Sequence, residues 1–294
     1  MSKFRLNWAR RCGEQKAAEF GFTSFPIDPF EIAEQVEIHV EAKSPDMDGV
    51  SGGIIFSGED VGIFYSTAIA SEGFQRFTVG HELGHYFLEG HPAEILKAAP
   101  IHISRAGFTE GGSSIEIEAD HFASGLLLPT RLVAQVLRKG QIGLVGISEL
   151  SDASKCSLTA CAIRAAECSP YPMAVVISKG AHICYGFLSE GFKRLGQMTF
   201  PKKGAKLPQS ATLEFNTDPQ NVLLGRSVCQ QTTLEHWFGG SKGCDLDEEV
   251  VGLGSYGFTL SVFSSEDLPD DPDDDEDEEA TLIESYSPKF AYGR

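Results

Sequence analysis

The chain has 294 residues, 41% of them hydrophobic, with 42 acidic against 24 basic side chains and a formal charge of −18. That length suffices for a sizeable core and about two domains, while the acidic balance argues against a basic face for direct nucleic-acid binding. No apolar leader core follows Met1-Ser2-Lys3-Phe4-Arg5, no apolar run is long enough to span a bilayer, and the seven cysteines are odd in number with no C-x-x-C pair; a reduced, cytoplasmic setting is expected, with no membrane partner.

In chain order, the first readable element is a helix of roughly residues 29 to 35. Asp28 is placed to cap it, Pro29 takes the first position and Glu31 completes the box. Val36 to Ala42 then alternates as a strand, with Val36, Ile38, Val40 and Ala42 on one face. Between Val50 and Tyr65, two runs rich in Ile, Phe and Val flank Ser57-Gly58-Glu59-Asp60, which reads as a β-hairpin.

The next segment carries chemistry. In His81-Glu82-Leu83-Gly84-His85 two imidazoles stand four residues apart, so on a helix they differ by only ~40° and grip one ion together. Glu82, beside the first of them, is directed toward a water on that ion, where a general base is needed. Phe74, Phe77, Val79, Leu83 and Phe87 make this a buried helix, and histidines buried in it need partners for their ring nitrogens. Gly80 and Gly84 would let another backbone come close.

Zinc takes three protein ligands at a catalytic site and leaves a fourth position for water. The third is sought on a second helix, Ser113 to Pro129, where Ser113 and Glu116 fit a capping box and Ile115, Ala119, Phe122 and Leu126 form the buried stripe. Glu116 and Asp120 lie four apart on the margin of that stripe. Glu118, ~200° round from Glu116, is expected to meet solvent. The spacing selects Glu116 as ligand and places Asp120 to accept the ring N–H of a liganding histidine, fixing its tautomer.

Further on, Gly146 to Cys168 reads as two short helices joined near Lys155-Cys156-Ser157, superficially a helix-turn-helix. The second helix offers mainly Arg164 as a cation, so the pair is read as structural. A domain boundary is expected near Ser169-Pro170-Tyr171-Pro172. Beyond it, Met173 to Ser178 and His182 to Leu188 alternate around Lys179-Gly180 as a hairpin. Ala211 to Phe215 and Val250 to Phe263 read as strands, and Val222 to Trp237 as including a helix or two. His182 and His236 are read as structural. Eleven of the 42 acids fall between residues 266 and 279, a solvated and mobile stretch, and Ile283 to Phe290 forms a tether able to dock back on the body.

The run Gln75-Arg76-Phe77-Thr78-Val79-Gly80-His81-Glu82-Leu83-Gly84-His85-Tyr86-Phe87-Leu88, followed by Glu116-x-Glu118-Ala119-Asp120-x-Phe122-Ala123 and Leu126-Leu127-Leu128-Pro129, resembles the ImmA/IrrE family of metallopeptidases. The resemblance covers roughly residues 25 to 170. It implies an α+β fold with a gluzincin-like (zincin) domain of helices packed on a small mixed sheet, His81, His85 and Glu116 as zinc ligands, and Glu82 as base. Family members usually have Asn where this chain has Asp120, a change that keeps an acceptor for histidine. In peptidases of this kind an edge strand pairs with extended substrate backbone; which strand is the edge is not legible. The oxyanion donor is also open, with Tyr86, His121, Tyr171 and Tyr185 the candidates by chemistry.

The expected organisation is a zinc metallopeptidase domain over 1–170, a smaller α+β domain over 171–265 that senses a signal or selects substrate, an acidic linker over 266–281 and a C-terminal tether over 282–294. The expected function is a zinc endopeptidase, other divalent ions such as manganese being alternatives in the cell. Its substrate would be an intracellular protein, and the resemblance points to a helix-turn-helix transcriptional repressor in stress response or mobile-element control. Two other readings stand beside it: an interaction module of a toxin–antitoxin or repressor pair that keeps the metal without proteolysis, and a metal-dependent amidase for a small substrate.

Overall fold

The structure, a computed structural model, describes residues 3–43, 49–68, 71–105, 114–169, 171–240 and 242–265. Ser113, the acidic stretch 266–281 and the tether 282–294 lie outside the described residues. The chain is α+β, and its described residues form two compact units, one drawn from residues 3–132 and 151–160, the other from residues 133–150 and 161–265. All seven cysteines are free. Among the described residues, no helix is long and apolar enough to cross a membrane.

The first unit opens with α1 (Lys3–Glu19), α2 (Pro29–Gln35), β1 (His39–Lys43), β2 (Val50–Ser57), β3 (Asp60–Ser66), α3 (Glu72–Phe87), α4 (His91–Ala98), β4 (Ile101–Arg105) and α5 (Ser114–Leu127). Helices α6 (Thr130–Leu137), α7 (Leu144–Ser154) and α8 (Leu158–Cys168) follow. Asp28 caps α2 as expected, its carboxylate accepting from the Phe30 N–H at 3.0 Å. The strand expected from Val36 starts only at His39. Val36 caps the helix and Glu37 takes a left-handed turn (φ 58°), so both residues are spent ending α2.

The sheet runs in the order β1-β3-β2-β4 and is mixed, with β1 parallel to β3 and the other pairs antiparallel. Gly58 opens the two-residue β2–β3 turn with the positive φ (65°) that a tight hairpin needs there. One sheet face lies on α3: a side chain at Gly52 would come within 2.5 Å of Thr78 Cγ2, and Ile54 and Ile63 share a core with Val79 and Leu83. Opposite residues of paired strands share a face. His102, opposite Ile54, and Ser104, opposite Gly52, therefore point to the α3 side as well.

Helix α5 is enclosed from two directions. Against α1 the backbones nearly touch, since a Cβ on Gly13 would lie 2.1 Å from the Phe122 carbonyl oxygen and one on Gly125 would lie 2.2 Å from that of Arg10. Ala9, Gly13 and Ala17, four residues apart and all buried, form the small-residue stripe that permits this. Against α3 the close point is Gly84, whose Cβ would meet the Ala119 Cα at 3.1 Å; Gly80 has only ordinary contacts, from 3.5 Å. The expectation of close backbone approach thus holds for Gly84 and not for Gly80.

The second unit continues with β5 (Ala174–Lys179), β6 (His182–Leu188), α9 (Glu190–Lys193), α10 (Ala211–Phe215), α11 (Pro219–Leu223), β7 (Ser227–Thr233), α12 (Leu234–Phe238), β8 (Asp245–Gly252) and β9 (Thr259–Ser264). Its sheet, β6-β5-β9-β8-β7, is antiparallel throughout. The β5–β6 hairpin matches expectation. Ala211–Phe215 is a helix and not a strand: five residues are too few for periodicity to decide, and the Ser210 hydroxyl caps the turn by accepting from Leu213 N–H. Strand β7 replaces part of the helix expected between Val222 and Trp237, because a polar, largely exposed edge strand has no buried face to betray it. Val250 to Phe263 splits into the end of β8, a short 3₁₀ turn (Gly254–Tyr256) and β9. Trp237 and Phe238 from α12 pack on Phe263, with ring centroids 4.5 and 5.3 Å apart. Arg164 of α8 is buried and paired with Glu167 at 2.8 Å, so it offers no cation to a nucleic acid.

Candidate metal centre

Helix α3 presents the two histidines as their spacing requires. Ser71 caps it by accepting from Phe74 N–H, and Arg76, buried, donates to the Ile27 carbonyl and lies 3.7 Å from the Asp28 carboxylate, tying α3 to the start of α2. The imidazoles of His81 and His85 meet at an Nε2···Nε2 distance of 3.1 Å. Glu116 of α5 completes the group, with Oε2 3.5 Å from His81 Nε2 and Oε1 3.4 Å from His85 Nε2. Each of the three offers one ligand atom, all within 4.8 Å of one another. A tetrahedral ion with bonds of about 2.0–2.1 Å holds its ligand atoms about 3.3 Å apart, so the spacing of this trio fits a zinc-sized dication.

Polar accounting points the same way. Glu82 is fully buried, and among the described residues neither of its carboxylate oxygens has a hydrogen-bond partner; the same is true of Glu116 Oε1, His102 Nε2 and Ser104 Oγ. Buried orphans gathered on three adjoining elements are what a site for an ion and its water leaves when its protein groups are considered alone. Burial pushes the Glu82 carboxyl up to about 7, against the opposing pull of the His81 imidazole. A carboxylate so placed exchanges protons near neutrality.

The ring nitrogens turned away from the trio are also held. Asp120 accepts from His81 Nδ1 at 2.8 Å. His85 Nδ1 lies 3.2 Å from Nδ1 of His91, the first residue of α4, and His91 Nε2 lies 3.3 Å from Glu118 Oε2. Glu118 in turn accepts from Arg5, 2.6 Å from the guanidinium Nη2. Glu118 is therefore 3% exposed, contrary to the expectation that it meets solvent. The angle from Glu116 is as expected, but the side it faces is occupied by α1 and α4. Burial pulls His85 down to about 3, outweighing the Glu116 carboxylate, which leaves a neutral imidazole with a lone pair to give. Burial also lowers His91. For His81 burial pulls down too, but Asp120 and Glu116 together more than reverse it. Burial works to raise Glu116, yet His102, His81 and His85 together hold it well below the usual carboxylate range.

His91 and His102 were not singled out from the sequence. His102 Nε2 is 3.0 Å from Glu116 Oε1, inside ion-pair range though not aligned as a hydrogen bond, and its ring stands 4.5 Å from that of His85. The one available signal is the alternation Ile101-His102-Ile103-Ser104, which marks a strand with a polar inner side. Of the oxyanion candidates, Tyr86 packs on the Phe87 ring, His121 contacts Arg10 through Nδ1 at 3.2 Å, and Tyr171 and Tyr185 belong to the second unit. His236 Nε2 donates to the Gln209 carbonyl oxygen at 2.6 Å, and His182 lies exposed at the start of β6.

Comparison with known proteins gives three results. A search of curated proteins returns no match to the chain. Among solved structures, a Mycobacterium tuberculosis transcriptional regulator superposes with a TM-score of 0.54 at 15% identity, over 87% of this chain and 76% of its own. At that identity the likeness speaks for the fold. Residues 35–164, which include α3, β4 and α5, match the family model of the IrrE N-terminal-like domain, Peptidase_M78. Over this segment, somewhat under half of its length, the chain is similar to the IrrE N-terminal-like peptidase domain.

Proposed function

We propose that the protein is a zinc-dependent endopeptidase. The observation that carries the reading is the meeting of His81, His85 and Glu116 at tetrahedral spacing beside Glu82, a buried carboxylate with no hydrogen-bond partner among the described residues. When bound, the ion supplies Lewis acidity that polarises a carbonyl and acidifies water. Glu82 takes the proton from the attacking water and delivers it to the leaving amine, a transfer its raised carboxyl suits. Asp120 holds His81 with Nε2 turned to the ion.

A gluzincin-like arrangement also gives the substrate a track. Among the described residues β4 pairs on one side only, with β2, and it carries His102 and Ser104 beside the cluster. Extended peptide backbone adding to that edge would lie along the site with little demand on its side chains. The family resemblance favours as substrate a helix-turn-helix repressor in the same cell, cut in stress response or mobile-element control. The seven free cysteines suit a cytoplasmic setting. Residues 171–265 are assigned to signal sensing or substrate selection, and zinc is preferred to manganese because two imidazoles and one carboxylate form its usual catalytic set.

The test is incubation of the purified chain with each repressor encoded nearby, with and without a chelator, alongside Glu82→Gln. Fragments that vanish with chelator and with Glu82→Gln are expected. Tight binding of a repressor without cleavage, with zinc supplied, would instead identify a metal-retaining interaction module.

A further inference from the structure

An imidazole that binds a metal through Nε2 is held in place by what its Nδ1–H touches. His81 has a carboxylate there, Asp120, but among the described residues no carboxylate pairs with Nδ1 of His85. Its Nδ1 faces another imidazole, His91, which the chain brings back beneath α3 by turning at Gly90 in a left-handed conformation (φ 91°). Proton positions along this contact follow from counting. If His85 Nε2 keeps its lone pair for a metal, Nδ1 carries the hydrogen and must donate, so His91 Nδ1 accepts and the His91 hydrogen sits on Nε2. That hydrogen points to Glu118 Oε2, 3.3 Å away, whose carboxylate is fixed by the Arg5 guanidinium at 2.6 and 3.1 Å. The opposite sense, with His91 Nδ1 donating, would put the His85 hydrogen on Nε2 and remove its lone pair from the site.

We propose that His91 and Glu118 are positioning residues for the metal centre: a relay running from Arg5 through Glu118 and His91 fixes the tautomer and ring orientation of His85, as Asp120 does directly for His81. The inference rests on the reading of His81, His85 and Glu116 as the metal-binding trio. It gives α1 a part in the site, since Arg5 anchors the far end of the relay. A purely structural role for the Arg5–Glu118 pair, as a clasp between α1 and α5, would account for the salt bridge but not for the alignment of His91 with His85 Nδ1.

The experiment uses the full chain and zinc itself. Zinc affinity is measured by competition with a chromophoric chelator for wild type, His91→Phe, which removes the acceptor at similar bulk, and His91→Gln, which restores one. Loss of about 10–100-fold in affinity is expected for His91→Phe, with most of it recovered in His91→Gln. Wild-type affinity in a folded His91→Phe protein overturns the relay. Independently of any variant, nitrogen chemical shifts of zinc-loaded wild type with labelled histidine are expected to show His91 protonated at Nε2 alone; protonation at Nδ1 overturns it. Glu116→Ala separates the two levels. If that variant binds zinc as tightly as wild type, the trio is wrong and the relay falls with it; if it loses zinc while His91→Phe does not, only the relay falls.

Discussion

Two carboxylates, one in each unit, are buried almost completely and treated in opposite ways. Glu248 of β8, 1% exposed, accepts from the Thr212 N–H and hydroxyl, each at 2.7 Å, and from Trp237 Nε1 at 3.0 Å. Glu82 of α3, 0% exposed, has no hydrogen bond to either oxygen among the described residues. A buried polar group that is fully paired holds its surroundings together, whereas one left unpaired costs stability and persists where chemistry needs it. Burial alone thus does not single out Glu82; burial without partners, beside three side chains that could hold a metal ion, does.

The sharpest way to break this contrast is Glu82→Gln. Hydrolysis is expected to fall by about 10²–10⁴-fold while zinc affinity stays near wild type, because the base is lost and the trio is untouched. Activity at the wild-type level would remove Glu82 from the reaction. The mirror experiment is Glu248→Ala, which strands the Thr212 N–H and the Trp237 indole N–H inside the second unit. A loss of about 2–4 kcal/mol in denaturant unfolding is expected, with zinc binding unchanged. A neutral result would mean that Glu248 does not organise its surroundings.

Smaller effects test how the site is assembled. Gly84→Ala puts a methyl 3.1 Å from the Ala119 Cα, so α5 and with it Glu116 must shift; a cost of about 1–3 kcal/mol and a weaker hold on zinc are expected. Gly80→Ala, which meets only ordinary contacts, is expected to be neutral or to stabilise the protein by up to about 1 kcal/mol. Equal effects at the two positions would show that the α3–α5 crossing is not set at Gly84.

The smallest effect concerns Glu249, next to Glu248 in sequence. It accepts from Leu144 N–H at 2.8 Å, but burial still raises its carboxyl above the ordinary range. A carboxyl raised on folding binds its proton more tightly in the native protein than in the unfolded chain. Its contribution to stability is therefore present in acid, below the unfolded carboxylate range, and is lost as pH rises through the raised value. Unfolding midpoints of wild type and Glu249→Gln, compared across that range, are expected to converge in acid and to separate toward neutrality in favour of the variant. Parallel curves would show that the shift is absent.

Local rules made a large part of the molecule legible. The four-residue spacing of His81 and His85, the carboxylate between them, the Asp28-Pro29 helix start, the Gly58 hairpin and the i, i+4 pair Glu116 and Asp120 all depend on periodicity or turn chemistry within a few residues, and such features are written along the chain. Helix α1 was not legible in the same way. Its stripe of Ala9, Gly13 and Ala17 has little hydrophobic contrast, and it acquires meaning only against Gly125 and the backbone of α5.

What tertiary structure decided is which faces count as inside. Glu118 points away from Glu116, as its angle requires, yet α1 and α4 arrive on that side and turn an expected surface acid into the buried end of a histidine relay. His91 and His102 come to the trio from a helix start and a strand; the alternation around His102 marks its strand, but no local pattern encodes which neighbours either histidine meets. Sequence by itself determined the residues proposed to bind and activate; packing of α1, α4 and β4 around α3 and α5 determined which others touch them, because burial belongs to the assembled elements and not to any one of them.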